Sequence, residues 1–114
     1  MSRSDQLKPE GEALLQKKSF FGKNKNIAQA ADKFKQAGNS YKIDRNWAQA
    51  GECHMKAAQL FLKASKKGDP NAMFNYAFLL WRGIGVGVNK VQAETYLRKA
   101  ILKFNTEEKK TYGL

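Results

Sequence analysis

The chain has one cysteine, Cys53, and one histidine, His54, among its 114 residues. One thiol cannot close an internal disulfide, so the fold must be held by packing, and a free thiol suits a reducing compartment. One Cys and one His cannot supply the three or four ligands of a zinc site, so neither a metal nor a cofactor is expected. The two residues are neighbours, but adjacent helical positions point about 100° apart, which denies them the geometry of a nucleophile–base dyad. The chain therefore reads as a non-enzyme. Strand signals are also missing: there is no alternating apolar–polar run, and no tight hairpin dipeptide lies between apolar segments. No stretch approaches the ~20 apolar residues that cross a bilayer. The start, Met1-Ser2-Arg3-Ser4-Asp5-Gln6, has no apolar secretory segment. These absences place the protein in the cytoplasm or nucleus, within reach of a membrane from that side.

Acids are scarce too. Ten Asp and Glu face 21 Lys and Arg, a net charge of +11. An excess of that size attracts anions and steers acidic partners rather than stabilising a fold. The candidates are an acidic protein, an anionic membrane surface and nucleic acid. Nucleic acid is the least supported, since there is no recognition-helix signature, no zinc-finger spacing and no aromatic–basic interleaving. The glycine-punctuated stretch from Gly83 to Gly87 lacks the Gly-Lys-Ser/Thr ending and the preceding strand of a phosphate loop. It reads as a turn.

What is present is helix. A hydrophobic fraction of 42% in 114 residues suits one domain with a core. A first helix is predicted from Pro9, a residue favoured at the first helical position, to about Phe20, with Leu14, Leu15 and Lys18 on a thin apolar face. Gly22-Lys23-Asn24-Lys25-Asn26 interrupts it, with Asn26 as the next cap. A second helix then shows Ile27, Ala31, Phe34, Gly38 and Tyr41 at three- and four-residue steps. Asp44-Arg45-Asn46 breaks the chain again, with Asn46 as cap. The third helix carries Trp47, Gly51, His54, Ala58 and Phe61 on one side and Ala50, Ala57 and Ala64 beside them. Lys66-Lys67-Gly68 closes it with cations and a glycine suited to a left-handed cap.

Asp69-Pro70 starts a fourth helix whose run Met73–Trp81 is apolar nearly all round, which predicts burial on most sides. Trp47, Trp81 and the helically spaced Phe and Tyr residues are expected in the core, with Trp47 partly exposed at its helix start. Asn89 caps a fifth helix with Ala93, Tyr96, Leu97, Ala100, Ile101 and Phe104 on one stripe and a Glu94–Arg98 pair one turn apart. Residues 105–114 should fray or add one weak turn. Short loops force antiparallel neighbours, so the predicted fold is all-α. It is a short right-handed array of about five antiparallel helices, tetratricopeptide-like and a single domain over residues 1–114. The first helix is a thin polar cap, so pairing of an uncovered apolar face with a second copy stays open.

Three segments carry a family resemblance: Lys18-Ser19-Phe20-Phe21-Gly22, Ala37-Gly38-Asn39-Ser40-Tyr41-Lys42 and Asn46-Trp47-Ala48-Gln49-Ala50-Gly51-Glu52. Lys56-Ala57-Ala58-Gln59-Leu60 continues the series, and Ser65-Lys66 closes it. In order and spacing, residues 10–67 resemble the N-terminal region of the soluble NSF-attachment proteins, the alpha-SNAP family. Residues 68–104 instead resemble one Sel-one-like repeat, a relative of the tetratricopeptide repeat. This likeness rests on Gly68-Asp69-Pro70-Asn71-Ala72, Leu79-Leu80-Trp81, Gly83-Ile84-Gly85-Val86, Ala93, Tyr96 and Arg98-Lys99-Ala100. Ala77 stands where that repeat usually has glycine, and Gly87-Val88 replaces a loop that commonly contains proline. The chain thus reads as a hybrid of two repeat types, natural or engineered, divided into residues 8–67, residues 68–104 and a tail 105–114. The attachment-protein segment that engages the ATPase NSF is not found in it, so no stimulation of NSF is expected.

The first resemblance implies two sites. Phe20 and Phe21, flanked by Lys17, Lys18, Lys23 and Lys25, match the place where the family inserts an apolar loop into membranes. Burying each ring contributes ~1.5–3 kcal/mol and each cation ~1 kcal/mol at an anionic surface. That suffices for weak, reversible docking but not for anchoring. The competing role is a staple between the first two helices, and the second apolar cluster that often follows in the family is missing here. The resemblance also implies a basic face that grips the acidic helical bundle of a SNARE complex. Residues 1–67 hold 14 Lys and Arg against 6 Asp and Glu, whereas residues 68–114 hold 7 against 4. By their place on helices two and three, Lys33, Lys35, Lys42, Arg45, Lys56 and Lys63 are the candidates. The competing role is a solvated face that keeps the protein soluble. The implied function is a helical-repeat adaptor in vesicle fusion, cytoplasmic and peripheral to membranes. The alternatives are a generic peptide-binding scaffold and a recombined or engineered helical protein with no vesicle role.

Overall fold

The computed structural model of the chain describes residues 3–16 and 23–111. These form five helices: α1 Arg3–Gln16, α2 Lys23–Ile43, α3 Trp47–Lys66, α4 Pro70–Arg82 and α5 Lys90–Thr111. No strand occurs among the described residues. Each helix packs on the one before and the one after it. The chain therefore zigzags into an antiparallel array measuring 49 × 35 × 19 Å, a slab about two helices thick.

Local chemistry sets three of the boundaries as expected. The Asn46 side chain accepts from the Gln49 amide, Asp69 accepts from Asn71 and Ala72 with Pro70 just inside the helix, and Asn89 accepts from Gln92. Each satisfies donors that a helix start leaves without intrahelical partners. α2 ends with Arg45 N–H donating to Lys42 O and Asn46 N–H to Tyr41 O, a closing turn that puts Arg45 at φ 60°. Gly68 at φ 94° and Gly83 at φ 72° end α3 and α4 in the same left-handed region.

Two predicted starts need correction. α1 does not begin at Pro9; it runs from Arg3 and carries Pro9 inside it. Proline removes one helical hydrogen bond there, but tertiary contacts hold the preceding turn. Leu7 is buried at 4% exposure, Tyr41 Oη donates to Asp5 at 3.2 Å, and Lys8 Nζ donates to Gln49 Oε1 at 3.1 Å. Asn26 is not a cap, because α2 already runs from Lys23. Lysine is a good helix former and a single Asn costs under ~1 kcal/mol, so anchoring at buried Ile27, Ala30 and Ala31 outweighs the turn-like composition. At the other end α5 stays helical to Thr111, beyond the single weak turn expected.

The core follows the α2 stripe as read, with Ile27, Ala31, Phe34 and Tyr41 buried and Ala30 and Ala37 beside them. On α3 Ala58 and Phe61 are buried as expected, with Ala50, Ala57 and Ala64 beside them, but the buried face turns to take in Cys53, Leu60 and Ser65 rather than Trp47 and Gly51. Trp47 is 62% exposed and Gly51 is exposed too, while His54 is half-buried. Alanines at 50, 57 and 64, two turns apart, let α2 approach closely, and a tryptophan cannot share that seam. α4 departs most. Tyr76, Ala77, Leu79 and Leu80 are buried, but Phe74, Phe78 and Trp81 are about half exposed, at 51, 49 and 48%. Leu97, Ile101 and Phe104 of α5 are exposed as well. An apolar helix needs neighbours on every side to disappear, and among the described helices α4 packs mainly against α3 and α5.

Candidate partner-binding surfaces

Because the chain zigzags, α1 and α3 lie side by side over α2 and enclose a groove of about 480 Å³. Its floor includes Phe34 and Cys53, and its lips carry Lys8 and Lys56 against Glu12 and Glu52. Lys8 Nζ stands 3.9 Å from Glu52 Oε1, a pair bridging the two helices. A partner here meets both signs of charge over an apolar base.

The six cations singled out for partner binding are not gathered on one face. Lys33 and Lys35 are two positions apart on α2, about 200° around its axis, so they leave on opposite flanks. Lys33 Nζ lies 3.1 Å from Glu10 of α1, whereas Lys35 Nζ lies 3.3 Å from Asn75 Oδ1 of α4. Lys42 and Arg45 are exposed together at the α2–α3 turn. Lys56 and Lys63 are exposed, seven residues apart, on one outward stripe of α3. The fold therefore keeps two pairs and separates the rest. An exposed ion pair such as Lys33–Glu10 contributes only about 0–1 kcal/mol, so a strongly acidic partner can compete for that lysine. Lys17, Lys18, Phe20 and Phe21 lie outside the described residues. Lys23 and Lys25 are placed by their backbone in the first turn of α2, but their side chains also lie outside.

Cys53 and His54 take separate roles. Cys53 is 1% exposed in the seam against α2, and burial pushes its thiol up, which keeps it protonated and inert. His54 lies over Gly38, where a Cβ would come within 2.7 Å of the ring. Burial, with Lys42 adding to it, pushes the imidazole down, so it is neutral at pH 7. Its Nδ1 is buried with no hydrogen-bond partner among the described residues. Next to it, Gly85 at φ 71° presses the α4–α5 loop onto the α3 backbone, where a Cβ would meet the His54 carbonyl. That glycine seats the rear helix pair.

One surface was missed in the sequence. Phe74, Phe78 and Trp81 fall at i, i+4 and i+7, and the apolar stripe of α5 runs beside them. Arg82 stands 5.4 Å from the Phe78 ring centroid and Lys90 5.0 Å from that of Trp81. The aromatic spacing is legible, but it also fits a core face, and it stays exposed because none of the described helices covers it.

Among the described residues no group of acidic, His or Cys side chains could hold a metal ion. No described helix is long and apolar enough to cross a membrane. A sequence profile for the family described as "Soluble NSF attachment protein, SNAP" matches residues 2–112. No curated protein and no solved structure matches the chain. The family match crosses Lys67 and Gly68 without a break, so residues 68–104, read above as a Sel-one-like repeat, fall inside it. That second resemblance is not shown, and one family accounts for the array that the sequence divided between two. The chain belongs to the soluble NSF attachment protein family.

Proposed function

We propose that this protein is a non-enzymatic adaptor that docks on the helical bundle of a SNARE complex and captures it by charge. The observation that carries this reading is the continuous family match over residues 2–112, laid on an antiparallel helical array with net charge +11. Attachment proteins of this family are adaptors that bind SNARE complexes. The exposed pairs Lys42–Arg45 and Lys56–Lys63 supply the cations best placed to meet an acidic bundle. Their role is to raise the encounter rate and to select negative partners more than to add affinity. Phe20 and Phe21, with Lys17, Lys18, Lys23 and Lys25, add weak contact with the membrane in which such a bundle is rooted. Neither contact alone anchors the protein, so release is easy.

Pull-down on an assembled SNARE bundle tests the partner. Lys56→Glu with Lys63→Glu should reduce capture at least about tenfold, since like charges facing each other cost several kcal/mol. Lys33→Glu, at a position already neutralised by Glu10, should reduce it less. Equal capture by all three proteins would remove the charge mechanism. Co-sedimentation with anionic vesicles tests the membrane contact, and Phe20→Ser with Phe21→Ser should abolish it.

A further inference from the structure

The proposed charge capture uses Lys42 and Arg45 and leaves the two apolar side chains beside them unexplained. Ile43 is 82% exposed and Trp47 62%, the most exposed large aliphatic and the most exposed aromatic residue among those described. Both belong to the turn between α2 and α3, and each of these helices packs on a neighbour at either side. The turn is open because it is the tip of the pair. Gly85 seats the α4–α5 loop against the His54 carbonyl, seven residues along α3 from Trp47, so the turn stands about 10 Å beyond that contact. Three backbone bonds hold it: Asp44 N–H to Ser40 O at 3.1 Å, Arg45 N–H to Lys42 O at 3.0 Å and Asn46 N–H to Tyr41 O at 2.9 Å. The result is a rigid, protruding knob that keeps Arg45 at φ 60°, where glycine would cost less.

Area, shape and charge select the partner. Ile43 and Trp47 offer roughly 300 Å² between them, well below the ~800 Å² per partner of a stable protein interface. A second copy would bring +11 to meet +11. A bilayer surface needs no matching relief, since fluid lipid closes around whatever enters it. Tryptophan settles at headgroup level, an aliphatic side chain beside it reaches the acyl boundary, and cations on either side meet anionic headgroups. The exposed charges at this end are Arg3, Lys42 and Arg45 against Asp5 and Asp44, with Asp5 accepting from Tyr41 Oη. That balance is only slightly positive, so apolar insertion leads and charge assists. We propose that the α2–α3 turn inserts Ile43 and Trp47 into the interfacial layer of an anionic bilayer, with Lys42 and Arg45 on the headgroups. The turn lies at the other end of the 21-residue α2 from positions 17–22, about 30 Å away. This contact is therefore separate from the one proposed for Phe20 and Phe21 and does not rest on it.

Trp47 reports its own insertion. The chain has two tryptophans, so Trp81→Phe leaves Trp47 alone, and Phe20→Ser with Phe21→Ser removes the other membrane contact. In that background, vesicles of phosphatidylserine and phosphatidylcholine brominated on their acyl chains should quench Trp47 emission and shift it to the blue. With Trp47→Phe in place of Trp81→Phe, the same vesicles should leave Trp81 emission nearly unchanged. Ile43→Ser should weaken vesicle binding at least about tenfold. Lys42→Gln with Arg45→Gln should do the same on anionic vesicles. Circular dichroism and Tm should hold in both, since all three residues are exposed. Four results would overturn the proposal: no quenching of Trp47; equal quenching of Trp81; vesicle binding indifferent to Ile43→Ser; or loss of SNARE-bundle capture in Ile43→Ser with vesicle binding intact, which would assign the turn to a protein partner.

Discussion

The first helix of this array and its last two differ in what they leave exposed. At the front, α1 turns Arg3, Asp5, Glu10, Glu12 and Gln16 to solvent, and Leu15 is its only exposed large apolar residue among those described. At the rear, α4 and α5 leave Phe74, Phe78, Trp81, Val91, Leu97, Ile101, Leu102 and Phe104 exposed. The rear pair thus presents the kind of apolar face that helices of an array bury against each other. The same pattern of antiparallel pairs leaves one face polar and another apolar among the described residues, and sequence pattern alone does not distinguish them, because exposed and buried apolar stripes have the same period.

The comparison breaks first at the seam that joins the rear pair to the front. Gly85→Ala adds a Cβ at φ 71° against the His54 carbonyl and 2.8 Å from the Met55 amide nitrogen. The left-handed backbone and the overpacking together should cost about 2–5 kcal/mol in urea unfolding. A loss under about 1 kcal/mol would mean that the loop does not seat the pair. Within α4, two faces of one helix can be set against each other. Leu80→Ala, at a buried position, should cost about 2–5 kcal/mol, whereas Phe78→Ser should change stability by no more than about 0.5 kcal/mol. Equal losses would show that the aromatic face is covered in solution.

These effects also mark what the sequence could tell. The α2 stripe, the caps at Asn46, Asp69 and Asn89, and the glycine at Gly83 were legible because each depends on neighbours within a turn or two. Pro9 inside α1 was not, since Leu7, Asp5 and Lys8 hold that turn through contacts to α2 and α3. The rotation of α3 away from Trp47 depends on which alanines meet α2. The dispersal of Lys33 and Lys35 onto opposite flanks follows from helical rotation, and counting cations along the chain overlooks it. Family membership was readable in residues 10–67 from motif order. In residues 68–104 a local likeness to another repeat hid it.

His54 ties the front to the seam and gives a pH signature. Its folded-state pKa lies below the ordinary value, so around pH 6.5 the unfolded chain binds more protons than the folded one. Stability should therefore rise with pH through that window and fall on acidification from pH 7 toward 5.5. Thermal melts of the wild type should show this slope, and His54→Gln should flatten it. A slope unchanged in the variant would place the sensitivity elsewhere. The smallest effect sits at the α2–α3 turn. Arg45→Gly relieves a left-handed arginine and should change stability by no more than about 1 kcal/mol, in the stabilising direction, while removing one candidate partner cation. A clear loss of stability would mean that the Arg45 side chain contributes contacts of its own.

The most direct test of the whole account is the affinity of the wild-type chain for an assembled SNARE helical bundle, titrated at about 0.1 M and about 1 M salt. The Debye length falls from about 10 Å to about 3 Å between these conditions, so capture by exposed lysines predicts binding at the lower salt that weakens at least about tenfold at the higher. An affinity indifferent to salt, or no binding at either concentration, would contradict it.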